Sequence, residues 1–165
     1  MLYDWLVFLH IFGAISFFYT HGAPGLVAFR LRSERDPQRI HAMIQIYAND
    51  RVFGLQYGTL LLLLVSGIVT GFMGGWWGDG WIWLSLVLLI GITVAMFAIG
   101  TSYYTRVRKA VGMEYMLKGK VQPAEPAAGP EELESLLSRS PAGLLLLIGL
   151  GGMALIVWLM VFKPF

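Results

Sequence analysis

Apolar residues do not alternate along this chain; they run on without interruption. Four runs, at about 5–29, 52–73, 81–104 and 142–162, contain no Asp, Glu, Lys or Arg. A helix rises 1.5 Å per residue, so roughly 20 such residues cross about 30 Å of hydrocarbon. The pattern therefore predicts an all-α fold, an integral membrane four-helix bundle, with the whole of 1–165 as a single transmembrane domain. The polar stretches 30–51 and 105–140 are the long connections; "GGWWGDG" is the short one.

Both long connections carry short helical patterns. In "DPQRIHAMIQIYAND" Asp36 is a candidate N-cap and Pro37 suits the first helical position. Ile40, Met43, Ile44 and Tyr47 follow at helical spacing. This predicts a short amphipathic helix, an ordinary connector, either ending in the connection or continuous with span two. "QPAEPAAGP" reads as mobile, and "PEELESLLSRS" as a second amphipathic helix with Pro130 and two glutamates at its start. Ser140–Pro141 marks the start of span four.

Charge sets an orientation. Arg30, Arg32, Arg35, Arg39 and Arg51 lie in the first long connection. Arg106, Arg108, Lys109, Lys118, Lys120 and Arg139 lie in the second, and the short connection has no basic residue. The positive-inside rule then puts both long connections in the cytoplasm and both termini outside. The rings agree. All six tryptophans fall at the expected outer ends, and most tyrosines lie nearer the inner side. The N-terminus lacks the basic region of a cleavable signal, so the first run is expected to remain as a span.

Composition narrows the chemistry. The chain is 57% hydrophobic and 13% charged, with a mean hydropathy of +0.68, which places it among membrane proteins. A formal charge of +2 gives no case for nucleic acid, and the absence of cysteine excludes thiolate sites and disulfides. No span holds a carboxylate for proton-coupled transport, and no zinc-type cluster, P-loop or nucleophile elbow occurs. The chain is expected not to be an enzyme.

Small residues recur on every span: Gly13 and Ala14; Gly67 and Gly71; Gly91 and Ala95; Gly149–Gly152. They suit close packing inside one bundle and, alternatively, a dimerisation face. Pro24, flanked by Gly22 and Gly25, is expected to kink or end span one.

Two histidines sit in "LHIFGAISFFYTHG". Eleven residues separate His10 from His21, about three turns and 20°, so they share a helix face roughly 16 Å apart. His21 lies near the Gly/Pro break and reads as an interfacial ring that reaches water or caps freed backbone. His10 lies deeper, where an ionisable group defaults to a functional hypothesis. Ser66, Thr70, Ser85 and Met153 are its candidate neighbours. A hydrogen-bonded structural role, a haem ligand with Met153 opposite, and copper with Met153 or Met160 are all open.

"LHIFGAI", "DGWIWLSLVLL" and the closing "WLMVFKPF" together resemble a bacterial family of predicted four-span integral membrane proteins of unknown function. The outline is also similar to HemJ-type protoporphyrinogen oxidase and to copper-resistance protein D type membrane proteins. The HemJ resemblance implies haem binding at His10. Ser85 stands where that group has a lysine, and its further span-three histidine has no counterpart here. The expected function is a non-catalytic accessory or assembly subunit of a larger membrane complex in the bacterial cytoplasmic (inner) membrane. Its partners would be the lipid bilayer and other subunits or a second copy. The alternative is a haem b protein for electron transfer or porphyrin handling, with His10 and Met153 as ligands. Copper handling or small-molecule transport comes third.

Overall fold

A computed structural model of the chain describes residues 1–47 and 50–165. Among the described residues, four helices are long and apolar enough to cross a membrane. The first, α1, is Leu2–Leu31; α2 is Pro37–Tyr47, α3 is Asp50–Gly74 and α4 is Gly80–Ala110. A two-stranded antiparallel hairpin follows, with β1 at Tyr115–Leu117 and β2 at Lys120–Gln122. Then come α5 (Pro130–Ser138), α6 (Ala142–Leu146) and α7 (Gly152–Phe162), the last two joined by a π-helical turn at Leu147–Gly151.

The bundle consists of two antiparallel pairs. On one side α1 lies against α3. His10 sits opposite Gly67, Gly13 opposite Leu63 and Thr20 opposite Thr59. A Cβ on Gly13 would stand 3.0 Å from the Leu63 backbone nitrogen, so this glycine lets the two helices touch at backbone distance. On the other side α7 lies against α4, where Gly152 receives Ile92 and Gly149 receives Met96. The pairs join where α6 packs on α1: Leu146 covers Gly25, and Ser140 Oγ donates to the Ala28 carbonyl at 3.1 Å. Most of the small residues thus serve packing within one chain.

One apolar cluster runs through the bundle and beyond it. Phe17, Ala28 and Leu31 of α1 meet Tyr103 and Val107 of α4, and Ile40 and Ile44 of α2 and Leu137 of α5 join them. The two short helices therefore lay their apolar stripes across the basic end of the bundle. At the other end Trp81, Ile82 and Leu159 form a second cluster beneath Trp76 and Trp77. Trp81 Nε1 donates to Asp79 there, and Lys163 Nζ lies 3.9 Å above the Trp76 ring.

Several expectations meet their test here. The α2 helix starts as foreseen, with Asp36 Oδ1 accepting the Gln38 N–H at 2.9 Å. The start of α5 at Pro130 and of α6 just after Pro141 also matches. Of the kink or end expected at Pro24, the end is excluded: α1 continues to Leu31. Helix α4 outlasts the apolar run that stops near residue 104 and continues to Ala110, placing Arg106, Arg108 and Lys109 on its last turns. The stretch expected to be mobile returns to the bundle end, where Ala128 N–H donates to the Ala110 carbonyl at 2.9 Å. The proposed continuity of α2 with span two lies at residues 48–49, outside the described residues.

Candidate functional site

Both span-one histidines face α3, as their spacing requires, but in different settings. His10 Nδ1–H donates to the Leu63 carbonyl at 3.0 Å, with Ser66 Oγ 3.5 Å away. The ring occupies the gap left by Gly67: a Cβ there would stand 2.6 Å from His10 Cε1. Of the candidate neighbours, only Ser66 comes within hydrogen-bond distance. Thr70 returns its hydroxyl to the Ser66 carbonyl and Ser85 to the Trp81 carbonyl. Met153 is buried on α7 within the apolar cluster.

His21 differs from its expectation. It does not reach water; it is 7% exposed. Its ring stacks on Phe17, one turn earlier, with centroids 5.0 Å apart. The Gln56 side-chain amide of α3 donates to Nδ1. The Pro24 carbonyl nearby is capped instead by the Tyr104 hydroxyl of α4. Side chains of α3 and α4 thus bind the ring that was expected to reach water and the carbonyl it was expected to cap.

His21 also lines a cavity of about 430 Å³ at the basic half of the bundle. Its walls come from α1, α3 and α4, with Leu145 of α6 and residues of the β1–β2 hairpin at the far end. Phe17, Leu60, Met96 and Phe97 make it mostly apolar, and Thr93 adds a hydroxyl. This is the size and character of a small-ligand site. Sequence reasoning missed it. The available signals were Gln56, the only amide within the four apolar runs, and Thr93 in the middle of span three.

The hairpin end has its own electrostatics. Arg108 Nε donates to the Glu114 carbonyl at 2.7 Å, pinning the hairpin to α4. Glu125 accepts from the Tyr115 hydroxyl and lies 3.2 Å from Lys109 Nζ. The Tyr115 hydrogen bond and the lysine hold the Glu125 carboxyl below its usual range. The same hydrogen bond to Glu125 pushes the Tyr115 hydroxyl up. Among the described residues, no three His, Cys, Asp or Glu gather as a metal site.

Four apolar helices of spanning length, packed through glycines and sealed by an aromatic end, define an integral membrane protein of the four-helix class. The family model described as predicted integral membrane protein (DUF2269) matches residues 4–164, and the chain belongs to that family. No curated protein and no solved structure matches it.

Proposed function

We propose that this chain is a non-catalytic accessory or assembly subunit of a larger membrane complex. It would lie in the bacterial cytoplasmic membrane as one transmembrane domain, its basic end in the cytoplasm and both termini outside. The observation that carries this reading is the outer face of α3. Gly54, Gly58, Leu61, Val65, Ile68 and Phe72 are all exposed and alternate at spacings of four and three. That is the seam of a helix that packs along another helix. Lipid alone accounts for exposed leucine or valine; it does not call for glycines. A Cβ on Gly54 or Gly58 meets nothing within 4 Å, so neither glycine serves packing inside the chain. Small residues four apart on an open face are what a partner helix uses for close approach. The test is cross-linking in native membranes from a cysteine placed at Leu61, together with Gly58→Ile. Stoichiometric capture of a partner chain or a second copy, lost in Gly58→Ile, is the expected result. A single uncross-linked species in both would overturn it.

Haem binding at His10 is a second reading, favoured by one observation. With Nδ1–H given to the Leu63 carbonyl, the lone pair of the neutral ring lies on Nε2. Ligating histidines are oriented by such a bond on their other nitrogen. His10 Nε2 would hold the iron and Met153 of α7 would be the second ligand; bound haem b would supply one-electron chemistry. Purified protein from haem-replete cells should then show a Soret band that His10→Ala removes. A colourless, folded preparation would sink this reading and leave the subunit reading intact.

A further inference from the structure

Two of the residues that line the cavity beside His21 carry a polar atom that the chain itself leaves unsatisfied. His21 Nε2 and Thr93 Oγ1 are both buried without a hydrogen-bond partner, and both residues line the same space. The threonine is the more telling. A hydroxyl inside a helix ordinarily returns to the carbonyl four residues earlier. Thr20, Ser66, Thr70 and Ser85 all do so in this chain. Thr93 does not. Buried polar groups are rarely left unpaired, because desolvation without a partner is costly.

The chemistry of the missing group follows from the two atoms. Because the Gln56 amide donates to Nδ1, the neutral His21 ring carries its proton on Nε2. That nitrogen can only donate, and the Thr93 hydroxyl can donate as well, so one acceptor oxygen would satisfy both. A carboxylate would accept, but the cation in the lining, Arg108, is fifteen residues along α4 from Thr93, roughly 22 Å by helical rise. A charge at the Thr93 level would be buried without a counter-ion, which is prohibitive; a neutral carbonyl is not. The surrounding wall of Phe17, Leu60, Met96 and Phe97 suits a flat apolar ring. Tyr57 and Phe97, also in the lining, are more than half exposed, so the cavity opens sideways on the surface that lipid covers.

We propose that this cavity binds a quinone-class membrane lipid, its ring between α1, α3 and α4 and one carbonyl oxygen accepting from His21 Nε2 and Thr93 Oγ1. Neither His10 nor any of the six seam residues of α3 lines the cavity, and the proposal rests on neither reading of those regions.

Delipidated full-length protein in detergent, titrated with a decyl-tailed benzoquinone, tests it. Saturable binding is expected. His21→Phe and Thr93→Val should each weaken it about tenfold, the loss of one hydrogen bond to a buried acceptor. Gly100 lines the cavity and a Cβ there meets nothing within 4 Å, so Gly100→Leu should fill the space and abolish binding in a folded protein. The carbonyl band of a ¹³C-labelled quinone should move to lower frequency on binding and return toward its free value in Thr93→Val. If His21→Phe does not fold, Thr93→Val and the infrared shift still decide. Non-saturable uptake, equal binding by wild type and Thr93→Val, or displacement of the quinone by lower concentrations of decanoate would each overturn the proposal.

Discussion

Gly67 and His10 fit each other side to side. The ring lies where a Cβ would stand, 2.6 Å from Cε1, and its Nδ1 is tied to the Leu63 carbonyl. It cannot swing aside without giving up that bond. Gly67→Ala should therefore destabilise the bundle by about 1–3 kcal/mol, the usual cost of overpacking. His10→Ala in the same chain should recover part of the loss, because the two changes act on one contact. Thermal unfolding of the four proteins in one detergent measures both values; strict additivity would show that the ring moves freely. The shared face of His10 and His21 was legible from an eleven-residue spacing; that Ser66, of four candidate neighbours, is the one beside the ring was not. Nor was the burial of His21. Its position beside Pro24 suggested solvent, and the amide that binds its ring, that of Gln56, is 35 residues away in sequence. Position along one helix gives depth and azimuth. It does not say which neighbour covers that azimuth.

Among elements, the hairpin at the basic end is held by ionisable groups. Glu125 joins Tyr115 and Lys109 and so fastens the chain after β2 to the end of α4. The folded carboxyl titrates below its ordinary 4.5, so its contribution is complete above that value and fades as pH falls through the depressed one. The folded Tyr115 hydroxyl titrates above its ordinary 10.0, so its contribution is complete below that value and fades as pH rises through the raised one. Amide exchange of Tyr115–Leu117 and Lys120–Gln122, corrected for intrinsic rate, should be slowest between about pH 5 and 10 and rise on both sides. In Glu125→Gln the acid limb of that profile should disappear; an unchanged limb would assign it to another group. Such exposed contacts are individually weak, so a partial opening of the hairpin is expected and not loss of the bundle. The spans and the α5 start were readable because an unbroken apolar run and Pro130 are local signals. The hairpin was not. Its strands are three residues each, too short to show alternation, and its turn relies on Gly119 at φ 76° beside Lys118 at φ 51°. Likewise α4 outruns the apolar pattern because Arg106, Arg108 and Lys109 are good helix formers that happen to be charged.

Across the whole molecule, the two ends differ in chemistry more than in shape. One carries the indoles of Trp76, Trp77, Trp81 and Trp83 around a short turn; the other carries the arginines of the two long connections. This asymmetry was readable in sequence because orientation is set by residue counts near span ends, which need no tertiary contact. Which helix pairs with which was not readable, since all four spans carry small residues and the pairing of α1 with α3 and of α4 with α7 rests on individual glycine–side-chain fits. The proposed orientation has a direct test, made simple by a chain without cysteine. Gly78 is exposed at the tryptophan end with open space around it, and Ser138 is exposed at the end of α5. Single-cysteine variants Gly78→Cys and Ser138→Cys should keep the fold. In intact spheroplasts a membrane-impermeant maleimide should label the first and spare the second, and after lysis it should label both. Labelling of Ser138→Cys alone before lysis would invert the orientation. The Arg35–Glu134 ion pair and the α2 and α5 stripes would then face the outside, and basic connections would have been translocated against the usual cost of moving arginine across a polarised bilayer.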